Sequence, residues 1–188
     1  MLYATDADQR ALPPAPHYGS YLTWLADRDP EASLDAYRRA LAGVDEPTLL
    51  APQHRPGTTA GISEDLDLDL DLDTTLSVRL HDTATARGVT VNTLVQTAWG
   101  VVLGALTGRT DVVFGATVSG RPPQIPGIEA MVGLFINTVP VRITVRPDDT
   151  VGALVDRVQA EQVALLDHHH LDLGTLDRHL GAAVRFDT

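Results

Sequence analysis

Val132-Gly-Leu-Phe-Ile-Asn-Thr-Val-Pro-Val-Arg142 is the stretch on which the reading of this chain turns. It places a small residue, Gly133, a bulky one, Phe135, and the carboxamide of Asn137 inside an otherwise apolar run. A buried amide without hydrogen-bond partners costs roughly 1–3 kcal/mol. Asn137 is therefore either a structural clamp or part of a polar spot in a buried channel. From Asn137 to Val145 the alternation suits a strand. A short helical turn at Ile128–Met131 leads into the run, and a Gly- and Pro-rich loop, Gly120 to Gly127, precedes the turn.

Working outward, Asp111 to Ser119 carries Val112, Val113, Phe114, Ala116 and Val118 and reads as a buried strand. Thr90 to Leu106 reads as a helix closed by Gly108, with Val91, Leu94, Val95, Ala98, Trp99, Val102 and Leu103 repeating at three and four. Gly100 and Gly104 suggest that another element lies close against it. Their spacing is that of a membrane-helix pair, but Asn92, Gln96 and several Thr interrupt the run. Asp73-Thr74 offers a cap for a helix to Ala86, stopped by Gly88. Its apolar side would hold Leu76, Val78 or Arg79, Leu80 and Ala84.

Glu64 to Asp73 alternates Asp and Leu strictly, the period of a strand with leucines on one face and aspartates on the other. Tyr18 to Leu41 has helical spacing, with Tyr21, Leu22, Trp24 and Leu25 as one apolar face, Leu34, Tyr37, Arg38 and Leu41 as another, and Pro30 in the first turn of a second helix. Residues 1–17 form an arm or interlobe linker, and residues 43–63 a second loop. On the C-terminal side, Val151, Leu154, Val155, Val158, Gln162 and Leu165 mark an amphipathic helix capped within Asp148 to Thr150, and a last helix runs from Asp172 to Leu180. Strands interleaved with helices predict an α/β fold, a mixed sheet with helices on its faces.

The 188 residues, 44% hydrophobic, suit one domain or part of a larger one. A net charge of −11 makes nucleic acid and anionic membrane poor partners. All 14 basic residues are Arg, which excludes a Schiff-base or phosphate-loop lysine; the absence of Cys excludes thiolate nucleophiles and zinc-thiolate sites and fits a cytoplasmic setting. Met1 to Arg10 has no apolar core, so it is not a secretory signal. No window holds the ~18 uninterrupted apolar residues of a membrane span.

Three constellations invite chemistry and do not hold it. His168-His169-His170 cannot all face one ion on a helix, because neighbours point about 100° apart; charged decoration of a helix C-terminus suits them better. The Asp-Leu run lacks the turning glycine of a calcium loop, Leu70 standing there. Ser119 lacks the flanking glycine pattern of a nucleophile elbow. No catalytic or metal-binding residue is assigned.

Several words then occur together and in order. Tyr18-Gly-Ser-Tyr21-Leu-Thr-Trp24, Tyr37 to Gly43 with Arg38 in place of Trp, Gly88-Val-Thr to Leu94, and Asp111 to Arg121 followed by Gly127-Ile-Glu129 are four of them. Val132 to Arg142, His168-His-His-Leu171-Asp-Leu173 with Asp172 in place of Pro, and Leu180 to Thr188 complete the series. Together they resemble the condensation domains of nonribosomal peptide synthetases, from the fourth core motif to the sixth and on toward the crossover strand. Asn137 with Thr138 is similar to the amide-forming members rather than to the epimerising or heterocyclising ones. The family's His-His-x-x-x-Asp-Gly signature does not occur in this sequence.

The resemblance implies a chloramphenicol-acetyltransferase-like fold of which residues 18–188 are the C-terminal lobe, an excised half inactive alone. It implies a substrate tunnel with Gly133, Phe135, Asn137 and Thr138 on its wall. Ser119 and Arg121 would lie near the mouth, Arg121 in a structural salt bridge, and Arg142 would be structural. The implied partners are the N-terminal lobe, peptidyl carrier domains with their phosphopantetheine arms, and an adjacent adenylation domain; no cofactor is bound directly. The alternatives are a stand-alone carrier-docking module and a coenzyme A-dependent acyltransferase lobe of the same superfamily. A severed lobe would expose apolar surface and self-associate.

Overall fold

Side-chain caps set most of the helix starts. In the computed structural model, which describes residues 15–51, 69 and 71–188, Asp29 accepts from the Glu31 amide ahead of α2 (Pro30–Ala40). Asp73 does the same for α3 (Thr74–Arg87), Thr90 for α4 (Val91–Thr107), Thr150 for α5 (Val151–Leu165) and Asp172 for α6 (Leu173–Leu180). Each cap is worth about 1 kcal/mol against Ala. The first helix, α1 (Gly19–Ala26), has no such cap. Gly88 and Gly108 end α3 and α4 at φ of +66° and +68°, where a β-carbon would be strained.

The strands are β1 (Asp111–Ser119) and β2 (Ile136–Thr144), antiparallel over their whole length from Asp111 opposite Thr144 to Ser119 opposite Ile136. Gly115 faces Pro140 at the centre. A β-carbon on Gly115 would lie 2.5 Å from the Phe186 ring, so the glycine admits the C-terminal segment. That segment meets β1 on the edge away from β2: the Gly115 amide donates to the Thr188 carbonyl, and Thr48 bridges Phe186 in parallel sense. Among the described residues the sheet itself is the antiparallel pair β1–β2, the one parallel bridge lies outside it between Thr48 and Phe186, and helices cover both faces. The expected strand at Glu64 to Asp73 lies largely outside the described residues, as does most of the arm at 1–17.

Alternation on the sheet divides the core. Val112, Phe114, Ala116, Val141 and Ile143 pack with Leu103 of α4 and Leu154 and Val158 of α5. Val113 points the other way, to Leu34, Tyr37 and Leu41 of α2 and its C-cap, and to Leu171, Leu176 and Val184. A third cluster joins Tyr21 of α1 to Ile125, Ile128, Met131 and Phe135.

Two expectations about facing fail. Of the apolar repeat of α4 only Leu103 is buried, alongside Thr93, Thr97 and Gly100, while Val95, Ala98, Trp99 and Val102 are exposed. The reason is the fit at Gly100, where an added β-carbon would sit 2.3 Å from Ile143. The threonines tolerate burial because Thr97 donates to the Thr93 carbonyl and Thr93 to Gln159 of α5. Gly104 is close to the Arg109 carbonyl of its own terminal turn rather than to another element. In α3 only Ala84 of the expected face is buried. Leu22 of α1 and Val151 of α5 are exposed as well.

Candidate functional site

The run that opened the reading lies where α1, the loop after β1 and the turn after α5 converge. Phe135 is buried, with the Tyr18 and Tyr21 rings edge-on at 5.3 and 4.9 Å and the Arg121 guanidinium over its face at 4.0 Å. Its carbonyl accepts from the Gly120 amide, fastening the run to the end of β1. Gly133 is exposed, and a β-carbon there would lie 2.2 Å from the Tyr18 ring, whose hydroxyl donates to the Leu134 carbonyl. The close approach that Gly133 allows is thus that of Tyr18.

Arg121 departs from expectation. Its guanidinium donates to the carbonyls of Ile128 and Met131, so among the described residues its partners are backbone oxygens and a ring, not a carboxylate. It caps the 3₁₀ turn Ile128–Ala130, which has too few residues to satisfy its own carbonyls.

Asn137 spends its amide inside the chain. Nδ2 donates to the carbonyls of His169 and Leu171, each at 2.8 Å, and Oδ1 accepts from the Thr138 amide. Of the two readings left open by the sequence, this geometry is the clamp: it pins the turn after α5 against β2. Thr138 pairs with Thr117 across the ladder, its methyl packed at Gly115. Arg142 makes a two-pronged ion pair with Asp111 at 2.7 and 2.8 Å and donates to the Ala40 and Ala42 carbonyls. That guanidinium, chiefly through its hydrogen bonds, holds the Asp111 carboxyl below the usual carboxylate range.

The clamped turn carries the three histidines at the C-terminal end of α5, as expected, but they also pack inward. His168 Nδ1 and His170 Nε2 both meet the buried hydroxyl of Ser33 in α2, at 3.0 and 3.4 Å. His170 also stands edge-on to Trp24. Burial pushes the pKa values of His169 and His170 below the ordinary imidazole value. The side chain of His169 makes no hydrogen bond among the described residues, and the residue borders three cavities, two of them on this side.

The first cavity, about 250 Å³, opens between Trp24, Ser119, Arg121, Gln124 and His170. The indole N–H of Trp24 is buried without a partner among the described residues. The second, about 220 Å³, lies between Asn92, Gln96, Val118, Gln159 and Leu166, with no charged side chain in its lining among the described residues. Beside the run stands an apolar ridge, Val132, Leu134 and Ile136, which are 78%, 74% and 68% exposed. Ser119, Arg121, Phe135 and Asn137 are thus brought to one end of the molecule, while Arg142 sits near its other end with Asp111. Sequence reasoning missed Ser33, Trp24 and His169 as site residues. Trp24 had a signal in the Tyr18-x-x-Tyr21-x-x-Trp24 spacing and His169 in the triple-histidine run, while Ser33 had none.

Comparison with known proteins bears on family and fold. The condensation-domain family matches residues 1–185. Chondramide synthase cmdD of Chondromyces crocatus is 37% identical over 171 residues, covering 91% of this chain and 4% of that protein. Tyrocidine synthase 3 of Brevibacillus parabrevis is 35% identical over 147 residues, 78% of this chain and 2% of that protein. Among solved structures, the first condensation domain of the CDA synthetase matches with a TM-score of 0.69 and 25% identity, over 96% of this chain and 41% of that one. The X-domain from teicoplanin biosynthesis matches with 0.72 and 25%, over 96% and 44%. The chain therefore spans a few per cent of the curated relatives and about two-fifths of the solved domains. Motif order, an α/β fold with helices on both sheet faces and a family match across nearly its whole length agree: this chain belongs to the condensation-domain family.

Proposed function

We propose that residues 18–188 are the C-terminal lobe of an amide-forming condensation domain, with residues 1–17 as an arm or link toward its other lobe. The lobe forms one wall of a cleft. There the amine of a downstream aminoacyl thioester attacks the carbonyl of an upstream aminoacyl or peptidyl thioester. A C–N bond forms, the C–S bond breaks, the amine loses a proton and the upstream arm leaves as a thiol. Both substrates ride on phosphopantetheine arms of peptidyl carrier domains, beside an adenylation domain in a cytoplasmic synthetase. The observation that carries this reading is the open cavity at Trp24, Ser119 and His170 together with the bare ridge Val132, Leu134 and Ile136, whose Ile136 pairs with Ser119 across the ladder. A wall of this shape is completed by a second body.

Holding amine and carbonyl in line supplies about 7–11 kcal/mol of such a barrier. In this reading Gly133 and Phe135 shape the wall, Ser119 and Arg121 set the mouth, and Asn137 with Thr138 acts by holding the histidine turn in place. The proton-handling imidazole belongs to the family's His-His-x-x-x-Asp-Gly segment, which this sequence does not contain. The test is reconstitution. The chain mixed with two loaded carriers gives no amide above background by mass spectrometry, and adding a separately made N-terminal lobe restores it. Robust turnover by the chain alone overturns the proposal.

A further inference from the structure

Positive charge is concentrated away from the cleft described above. The chain holds 25 acidic and 14 basic residues, yet four arginines, Arg39, Arg142, Arg146 and Arg157, line one cavity of about 460 Å³. It lies between α2, the end of β2 and α5. Two of the four are already held: Arg142 by Asp111 at 2.7 Å and Arg157 by Asp149 at 2.6 Å. Arg39 and Arg146 are exposed, and among the described residues their guanidiniums make neither an ion pair nor a hydrogen bond. Two uncommitted guanidiniums beside two fixed ones make a donor array whose forks match an oxyanion. Among the described residues a single carboxylate in the lining, Glu161, faces them. That carboxylate competes with any anion for the guanidiniums of Arg39 and Arg146.

We propose that this cavity binds the phosphate group of a small ligand. Arg39 and Arg146 contact the oxygens, while Arg142 and Arg157, each neutralised by its own carboxylate, fix the wall between them. The cavity also has a direction. It shares Arg142, Glu161 and Leu165 with a narrow neck of about 40 Å³ whose lining includes His169, the ring that borders the candidate site. A phosphate seated among the arginines thus anchors a chain pointing along the edge of β2 toward His169. Two sources present this chemistry, the phosphopantetheine arm of a carrier and a free phosphorylated compound. The first rests on the function proposed above; phosphate binding itself does not.

Isothermal titration calorimetry at low ionic strength, with inorganic phosphate and with phosphopantetheine, separates them. Saturable binding of phosphate is expected, weakened about tenfold or more in the R39A/R146A double variant, since a charge-assisted hydrogen bond is worth roughly 1.5–3 kcal/mol. Both side chains are exposed and, among the described residues, unpaired, so this variant keeps its circular dichroism. Glu161→Gln tightens binding by removing the competing carboxylate. Phosphopantetheine binding more tightly than phosphate supports the arm as the source. Equal affinities support the phosphate site with a free compound as its ligand and overturn the arm. No saturable phosphate binding, or binding unchanged in R39A/R146A, overturns the site.

Discussion

Around Phe135, two tyrosine rings, a guanidinium and the backbone of three segments converge, and the hydrogen-bonding groups of Arg121 and Asn137 are spent on carbonyls or amides nearby. Around Trp99, on the outer side of α4, Val95, Val102 and Leu106 repeat at helical spacing and touch solvent, with Trp99 39% and Leu106 65% exposed. The two regions are comparably apolar in sequence. What separates them is tertiary closure, which α1 and the 120–131 loop provide at one end and which the described residues do not provide at the other. Apolar pattern says that a helix or strand will form; it does not say which side finds a partner.

The largest expected effect tests that contrast directly. Phe135→Ala removes a buried ring and the platform under Arg121, and should destabilise by about 3–5 kcal/mol. Trp99→Ala deletes a larger side chain and should cost under about 1 kcal/mol, as surface substitutions do. Urea denaturation of both variants checks the pair. Equal losses of midpoint would mean that the α4 stripe is core after all, and the contrast would be gone.

Asn137→Leu sharpens the same end. The side chain keeps its bulk, but the His169 and Leu171 carbonyls lose their donors, for a cost of roughly 2–4 kcal/mol. Asn137→Asp should fare no better, since an ionised carboxylate offers no donor to those carbonyls. A channel-wall role without clamping predicts near-normal stability for both variants, so a small shift in urea midpoint would favour that role. Amide exchange at residues 166–172 should speed up with the loss of the clamp.

Much of the fold was legible because it is written locally. Asp73, Thr90, Thr150 and Asp172 announce helix starts within three residues of the bonds they accept. Strand β1 falls where a short apolar run puts it and β2 where alternation puts it, within a residue at each end. Gly100 signalled a close approach to α4, but the apolar repeat pointed elsewhere, and the partner, Ile143, stands 43 residues away along the chain. Asn137 was visible as a polar residue in an apolar run, but choosing clamp over channel required carbonyls more than thirty residues downstream. Ser33 had no signal: a serine in a helix says nothing of two imidazoles some 135 residues later.

The clamped turn also predicts a pH dependence that α4 does not share. His169 and His170 have folded pKa values below the ordinary value near 6.5, chiefly through burial, with His168 and Arg28 adding repulsion and the Asp167 carbonyl partly offsetting it at His170. A depressed folded value means that the unfolded chain binds more protons in that window. Stability is therefore fully present above about pH 6.5 and declines as pH falls toward the folded values. Thermal unfolding between pH 7.5 and 5.5 should show this decline, and His169→Gln should flatten it. A slope unchanged in His169→Gln would place the proton uptake elsewhere.

The smallest effect on stability belongs to the outer face of α4, and there the informative readout is association. Leu106→Gln should move stability by less than about 0.5 kcal/mol, because an exposed leucine has little burial to lose. The stripe Val95, Trp99, Val102 and Leu106 is nevertheless contiguous along one side of the helix, and exposed apolar surface of that kind draws molecules together even at a net charge of −11. Light scattering across a concentration series should show self-association in the parent chain and less of it in Leu106→Gln. The ridge variant Leu134→Gln separates the two apolar surfaces. If Leu134→Gln abolishes association and Leu106→Gln does not, the sticky face is the unfinished wall beside Phe135, and the α4 stripe is a tolerated exposure rather than a contact surface.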